Sequence, residues 1–161
     1  MTGAWANFFI SQCGDSAALL GLLFVSVSLN LSRILAYPDL PNRALMAMLL
    51  LLAVLIVASL MLIPGQPMVV NGVEVLCVGF SICAAGAITG AGSIRNASPD
   101  LRGQAIRRFA LLALAILPYM VAGIMLLVGH ATALYWLAAG TILSFVTSAT
   151  EAWVLLVERN R

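Results

Sequence analysis

Five apolar runs, each about as long as a membrane is thick, dominate this 161-residue chain. They cover roughly Ser16–Tyr37, Ala44–Ile63, Val73–Ser93, Phe109–Val128 and Ala131–Val157. A hydrocarbon layer ~30 Å thick is crossed by about 20 helical residues. Only helices and closed barrels satisfy their backbone groups inside it. The reading is therefore an all-α membrane protein, a single domain of five transmembrane helices over residues 1–161. Hydrophobic residues make up 63% of the chain and charged residues 9%. Soluble domains carry about 25% charge, so a soluble helical bundle is set aside.

The few charges set an expected topology. All eight basic residues are arginines, and there is no lysine. Arg33 and Arg43 flank the link after the first run. Arg95, Arg102, Arg107 and Arg108 follow the third, and Arg159 and Arg161 end the chain. The N-terminal segment, the Pro64–Gly72 link and the Gly129–His130 turn hold none. Cytoplasmic loops carry the excess of arginine, so the N-terminus is expected outside and the C-terminus in the cytoplasm. Met1–Asp15 lacks the basic start of a cleaved signal peptide. Its Trp5, Phe8 and Phe9 suit a membrane–water boundary, so it reads as a short interfacial lead-in that continues into the first helix. The prolines of Tyr37–Arg43 and Ile63–Met68 break the helices there. Pro118 falls inside the fourth run, where neighbouring helices can satisfy the freed carbonyl. The fourth and fifth runs, fused, would be too long for one crossing, so a hairpin at Gly129–His130 is expected.

Several chemistries drop out. Without lysine there is no Schiff base to retinal or pyridoxal phosphate. One histidine cannot give a haem two axial histidines. Cys13, Cys77 and Cys83 form no CxxC pair and read as structural thiols. Asp15, Glu74 and His130 are the ionisable groups of the outer side. They end three different helices, and read as solvated ends rather than a metal or proton-entry site. No HExxH, GxSxG or phosphate loop occurs. The chain is expected not to be an enzyme and to need no metal or cofactor. Its partners are expected to be the lipid bilayer, further copies of itself or a larger membrane complex, and no nucleic acid.

The helix faces carry what remains. In the first run Gly14, Ala18, Gly21, Val25, Ser28 and Ser32 form a face of small residues, the kind that lets helix backbones approach closely. Ser26, Asn30 and Arg33 make a polar edge beside it. The third run repeats the small face with Gly79, Cys83, Gly86 and Gly90, and is expected to lie in the interior. The second run is rich in Leu and Met, with Ser59 its one polar side chain, and is expected to face lipid over much of its surface. The fifth is the most polar: Gly140, Ser144, Thr147, Ser148 and Glu151 share one broad face, widened by Thr141 and Thr150.

A carboxylate at the centre of a membrane helix costs about 2.5–3.5 kcal/mol on insertion scales, so Glu151 should not meet lipid. Three arrangements are open: an Arg33 or Asn30 clamp, a water-filled path, or a side chain that snorkels to the interface. The leading expectation is a homo-oligomeric small-ion channel or transporter-like protein. Its path would be lined by Ser26, Asn30, Arg33, Ser144, Ser148 and Glu151 on the first and fifth helices. Gly14, Ala18, Gly21, Gly79, Gly86 and Gly90 would pack helices. The alternative is a non-transporting accessory or scaffold subunit, with the small faces as docking surfaces.

The segment Ser16–Leu35, SAALLGLLFVSVSLNLSRIL, followed by Pro-Asp-Leu-Pro and an arginine, resembles the opening of small uncharacterised multi-span integral membrane proteins of bacteria. The resemblance covers the first two helices, to about Gly65. It implies a bacterial inner membrane location and carries no catalytic or binding residue with it.

Overall fold

The computed structural model describes residues 3–37, 40–96 and 99–157, with side chains placed except at residues 4, 33, 90–96, 99–102, 104, 105 and 154–157. The described chain is all helical: α1 (Gly3–Leu29), the short α2 (Leu31–Ile34), α3 (Leu40–Met61), α4 (Met68–Asn96), α5 (Pro99–Leu127) and α6 (Ala133–Val157). Five of these are long and apolar enough to cross a membrane, which suggests a multi-pass membrane protein. Arg95, Arg102, the Pro38-Asp39 turn, Gly90, Arg159 and Arg161 lie outside the described residues or side chains.

The links follow from local chemistry. Asn30 ends α1: its Nδ2 donates to the Ser26 carbonyl at 2.8 Å, and its backbone N–H reaches Val27 O instead of continuing the ladder. Gly65 and Gly129 hold φ of 74° and 80°, the left-handed region in which glycine avoids a Cβ clash. Gly129 ends α5 and turns the chain into α6, while Pro118 sits buried within a continuous α5. The N-terminal lead-in continues into the first helix. It runs unbroken from Gly3 through Asp15, because Ser16 returns its hydroxyl to Gln12 O at 2.6 Å and the polar stretch stays helical.

The Leu- and Met-rich helix is the centre of the bundle, which corrects its expected exposure to lipid. Ala47, Leu50, Val54, Val57 and Ala58 of α3 are fully buried, and α1, α4 and α6 all pack on it. A helix apolar all round is at home in a core as well as in lipid. Near the Met61 end, Phe9, Val57, Met61, Val75, Tyr119, Leu126 and Leu137 bring five helices together. Trp5 caps this cluster with ring contacts to Phe8, Phe9 and Tyr135.

Helix α4 packs by one face and is otherwise exposed, which corrects its expected interior position. Its seam is Gly72, Gly79 and Gly86, one heptad apart, against α5. A Cβ on Gly72 would sit 2.9 Å from both Gly123 O and Leu127 N, while Gly79 and Gly86 make room for Met120 and Leu112. Cys83, expected on that face, is exposed.

Candidate functional site

The hydroxyls and carboxylate of α6 point into the bundle. Thr141, Ser144, Thr147, Ser148 and Glu151 are all buried. A buried polar group costs free energy unless it is hydrogen-bonded, and three successive levels of α6 meet that demand on neighbouring helices. Ser144 Oγ lies 3.2 Å from Tyr119 Oη of α5. About one turn further, Ser148 donates to the Ala47 carbonyl of α3 at 3.1 Å. Three residues on, Glu151 Oε1 accepts from Arg108 Nε of α5 at 3.0 Å, and its Oε2 lies 3.8 Å from Arg43 Nη1 of α3. Thr141 and Thr150 satisfy themselves within the helix, on the carbonyls of Ala138 and Thr147.

Local sequence explains each position. Gly140 faces the Tyr119 ring, and a Cβ there would stand 3.2 Å from it, so the glycine lets the ring lie flat against α6. The α5–α6 hairpin fixes the ion pair. Arg108 lies 22 residues before His130 and Glu151 lies 21 after it. The two arms therefore bring guanidinium and carboxylate level. Arg43, in the first turn of α3, completes a group of two arginines on one carboxylate. The Glu151 side chain keeps 9% exposure, Arg43 18% and Arg108 21%. Glu151 Oε2 and Arg43 Nε are buried without a hydrogen bond, so the Arg43 contact is a looser ion pair.

Of the expected path, Ser144, Ser148 and Glu151 thus share one face but are engaged with α3 and α5. Among the described contacts, neither Ser26 nor Asn30 hydrogen-bonds to them. Ser26 and Asn30 are half-buried, and Asn30 is spent on the Ser26 carbonyl. The Arg33 side chain lies outside the described ones, and the described partners of Glu151 are Arg108 and Arg43. Sequence reasoning passed over Tyr119, Arg43 and Arg108. Tyr119 could have been found as a phenol in the middle of an apolar helix, where its hydroxyl must seek a partner. The hairpin register would have found Arg108.

The small residues divide. Gly79 and Gly86 pack against α5 as described. On α1, a Cβ at Gly14 or Gly21 would meet nothing within 4 Å, and Ala18 is exposed, so this face is open. At the Met61 end, Glu74 accepts from Gln66 Nε2 at 2.7 Å. Asp15 and His130 are exposed, and no group of three metal-ligating side chains occurs among the described residues.

No family model matches the chain, and neither the curated proteins nor the solved structures contain a match.

Proposed function

We propose that this chain is a multi-pass membrane subunit that works by assembling with another membrane component rather than by conducting ions itself. The observation that supports this most is a contrast between two faces. The polar groups of α6 are engaged inside the bundle with Tyr119, Ala47 O, Arg108 and Arg43. The small-residue face of α1 stays open at Gly14, Ala18 and Gly21. In a membrane, where helix association draws on close packing and interhelical hydrogen bonds, such an open face is suited to a partner. The arginine distribution supports an N-terminus outside and a C-terminus in the cytoplasm. The resemblance of Ser16–Leu35 supports a bacterial plasma membrane.

A second reading, ion passage through an assembly of copies, has its own observation. Glu151 Oε2 and Arg43 Nε are polar atoms buried without a hydrogen bond, on the face that also carries Ser144 and Ser148. Ion flux into liposomes holding the purified protein separates the two. The assembly reading expects flux no higher than in protein-free liposomes, for wild type and Glu151→Gln alike. Gradient-driven flux that changes in Glu151→Gln would overturn it in favour of a conduit.

A further inference from the structure

Asp15 is exposed on α1, and no cationic side chain among the described residues reaches its carboxylate. Its depth follows from the register of α1 against α3. Cys13 Sγ lies 3.5 Å from Ser59 Oγ. Asp15 is two residues past Cys13, and Ser59 is two residues short of the end of α3 at Met61. At 1.5 Å per residue, Asp15 is about 6 Å inside the Met61 end of the bundle.

Its neighbours along the outward side of α1 are uncharged. Asn7, Ser11 and Asp15 step by four residues along the outward side of α1 and are all exposed. Beside this row lie Gly14, Ala18 and Gly21, with open space where side chains would be. A charged group within a membrane segment ordinarily turns to a bundle interior or a counter-charge. Among the described residues, Asp15 has neither.

We infer that this face of α1 docks a transmembrane helix of a different protein. That helix carries one basic side chain about a turn below its outer end, with small residues beside it. The basic group would pair with Asp15, while the glycines of α1 admit its backbone. The inference rests on the assembly reading and supplies the chemistry of the partner. A second copy is the poorer occupant on charge grounds. Paired α1 to α1 in the same orientation, it would set Asp15 against Asp15. The described arginines Arg43, Arg107 and Arg108 belong to the opposite end of the bundle, and His130 lies in the turn beyond α5.

The test uses the whole protein, donor-labelled in liposomes, with acceptor-labelled synthetic Leu/Ala transmembrane peptides. One peptide carries Arg a turn inside its outer end with flanking glycines; the control carries Leu in place of Arg. The Arg peptide is expected to associate about tenfold more tightly. Asp15→Asn should remove that preference, and Asp15→Arg should transfer it to an Asp peptide. Gly21→Leu should weaken association without unfolding the protein, since its side chain enters open space. A difference under twofold between the Arg and Leu peptides overturns the inference. So does self-association that persists in Asp15→Asn and blocks the Arg peptide. Flux in the same liposomes, by contrast, would defeat the assembly reading, so the two failures are told apart.

Discussion

Replacing Glu151 by leucine removes the carboxylate that, among the described residues, Arg108 and Arg43 share. Breaking a buried ion pair from one side costs about 3–5 kcal/mol, because the partner charge is left uncompensated. Here the guanidiniums keep about a fifth of their surface exposed, so part of that charge stays solvated and the expected loss falls to about 2–3 kcal/mol. That lowers the folded-to-unfolded ratio by about 30- to 140-fold. Equilibrium unfolding in bicelles, by denaturant titration or steric trapping, reads it directly. A double-mutant cycle then divides the effect. Glu151 with Arg108 should couple by about 1–2 kcal/mol, because the contact is a hydrogen bond at 3.0 Å. Glu151 with Arg43 should couple by less than about 1 kcal/mol, because the 3.8 Å contact lacks one. A loss below about 0.5 kcal/mol for Glu151→Leu would refute the reasoning. So would a cycle in which Arg33 couples to Glu151 as strongly as Arg108 does.

Other expectations address the packing. Gly72→Ala should destabilise by about 2–3 kcal/mol, because its Cβ meets backbone atoms that cannot swing aside. Gly21→Ala, with open space, should change stability by less than about 0.5 kcal/mol in the same unfolding assay. Ser148→Ala and Tyr119→Phe each delete one interhelical hydrogen bond and should cost about 0.6–1.7 kcal/mol, measured by the shift in unfolding midpoint. Gly129→Ala forces a Cβ into the left-handed region at φ 80° and should cost about 1–2 kcal/mol. Gly103→Ala, with open space and an ordinary helical φ, should by contrast raise stability by about 0.4–1 kcal/mol.

Helix number was legible in the sequence because apolar length alone determines it. The order of packing was not. Hydropathy scores transfer out of water, and lipid and protein interior are equally apolar, so the Leu-rich α3 gave no sign of being central. Depth along a helix was legible too, and it set Glu151 at the level of Asn30 with Arg33 a turn away. Depth cannot say which neighbouring helix offers its arginine, and that depends on the hairpin at Gly129 and on α6 lying against α3 and α5. The face of α4 was misread for a related reason. The Gly86/Gly90 spacing suggested one stripe, but the seam runs through Gly72, Gly79 and Gly86, where Gly123 and the side chains of Met120 and Leu112 fit. On α1 the aspartate at position 15 was taken for a helix end, because a single charge lowers the local hydropathy without stopping the helix.

The polar levels of α6 also bear on the order in which the bundle can be completed during synthesis. α6 emerges after α3 and α5, and its Ser144 and Ser148 hydroxyls and Glu151 carboxylate find their described partners on those two helices. Until it arrives, Tyr119, Arg43 and Arg108 wait without these partners. The insertion machinery would therefore release α6 most readily against a platform of α3, α4 and α5 already in place. A ribosome stalled before Ser144 would leave that platform with unanswered arginines, a feature that membrane quality control could recognise.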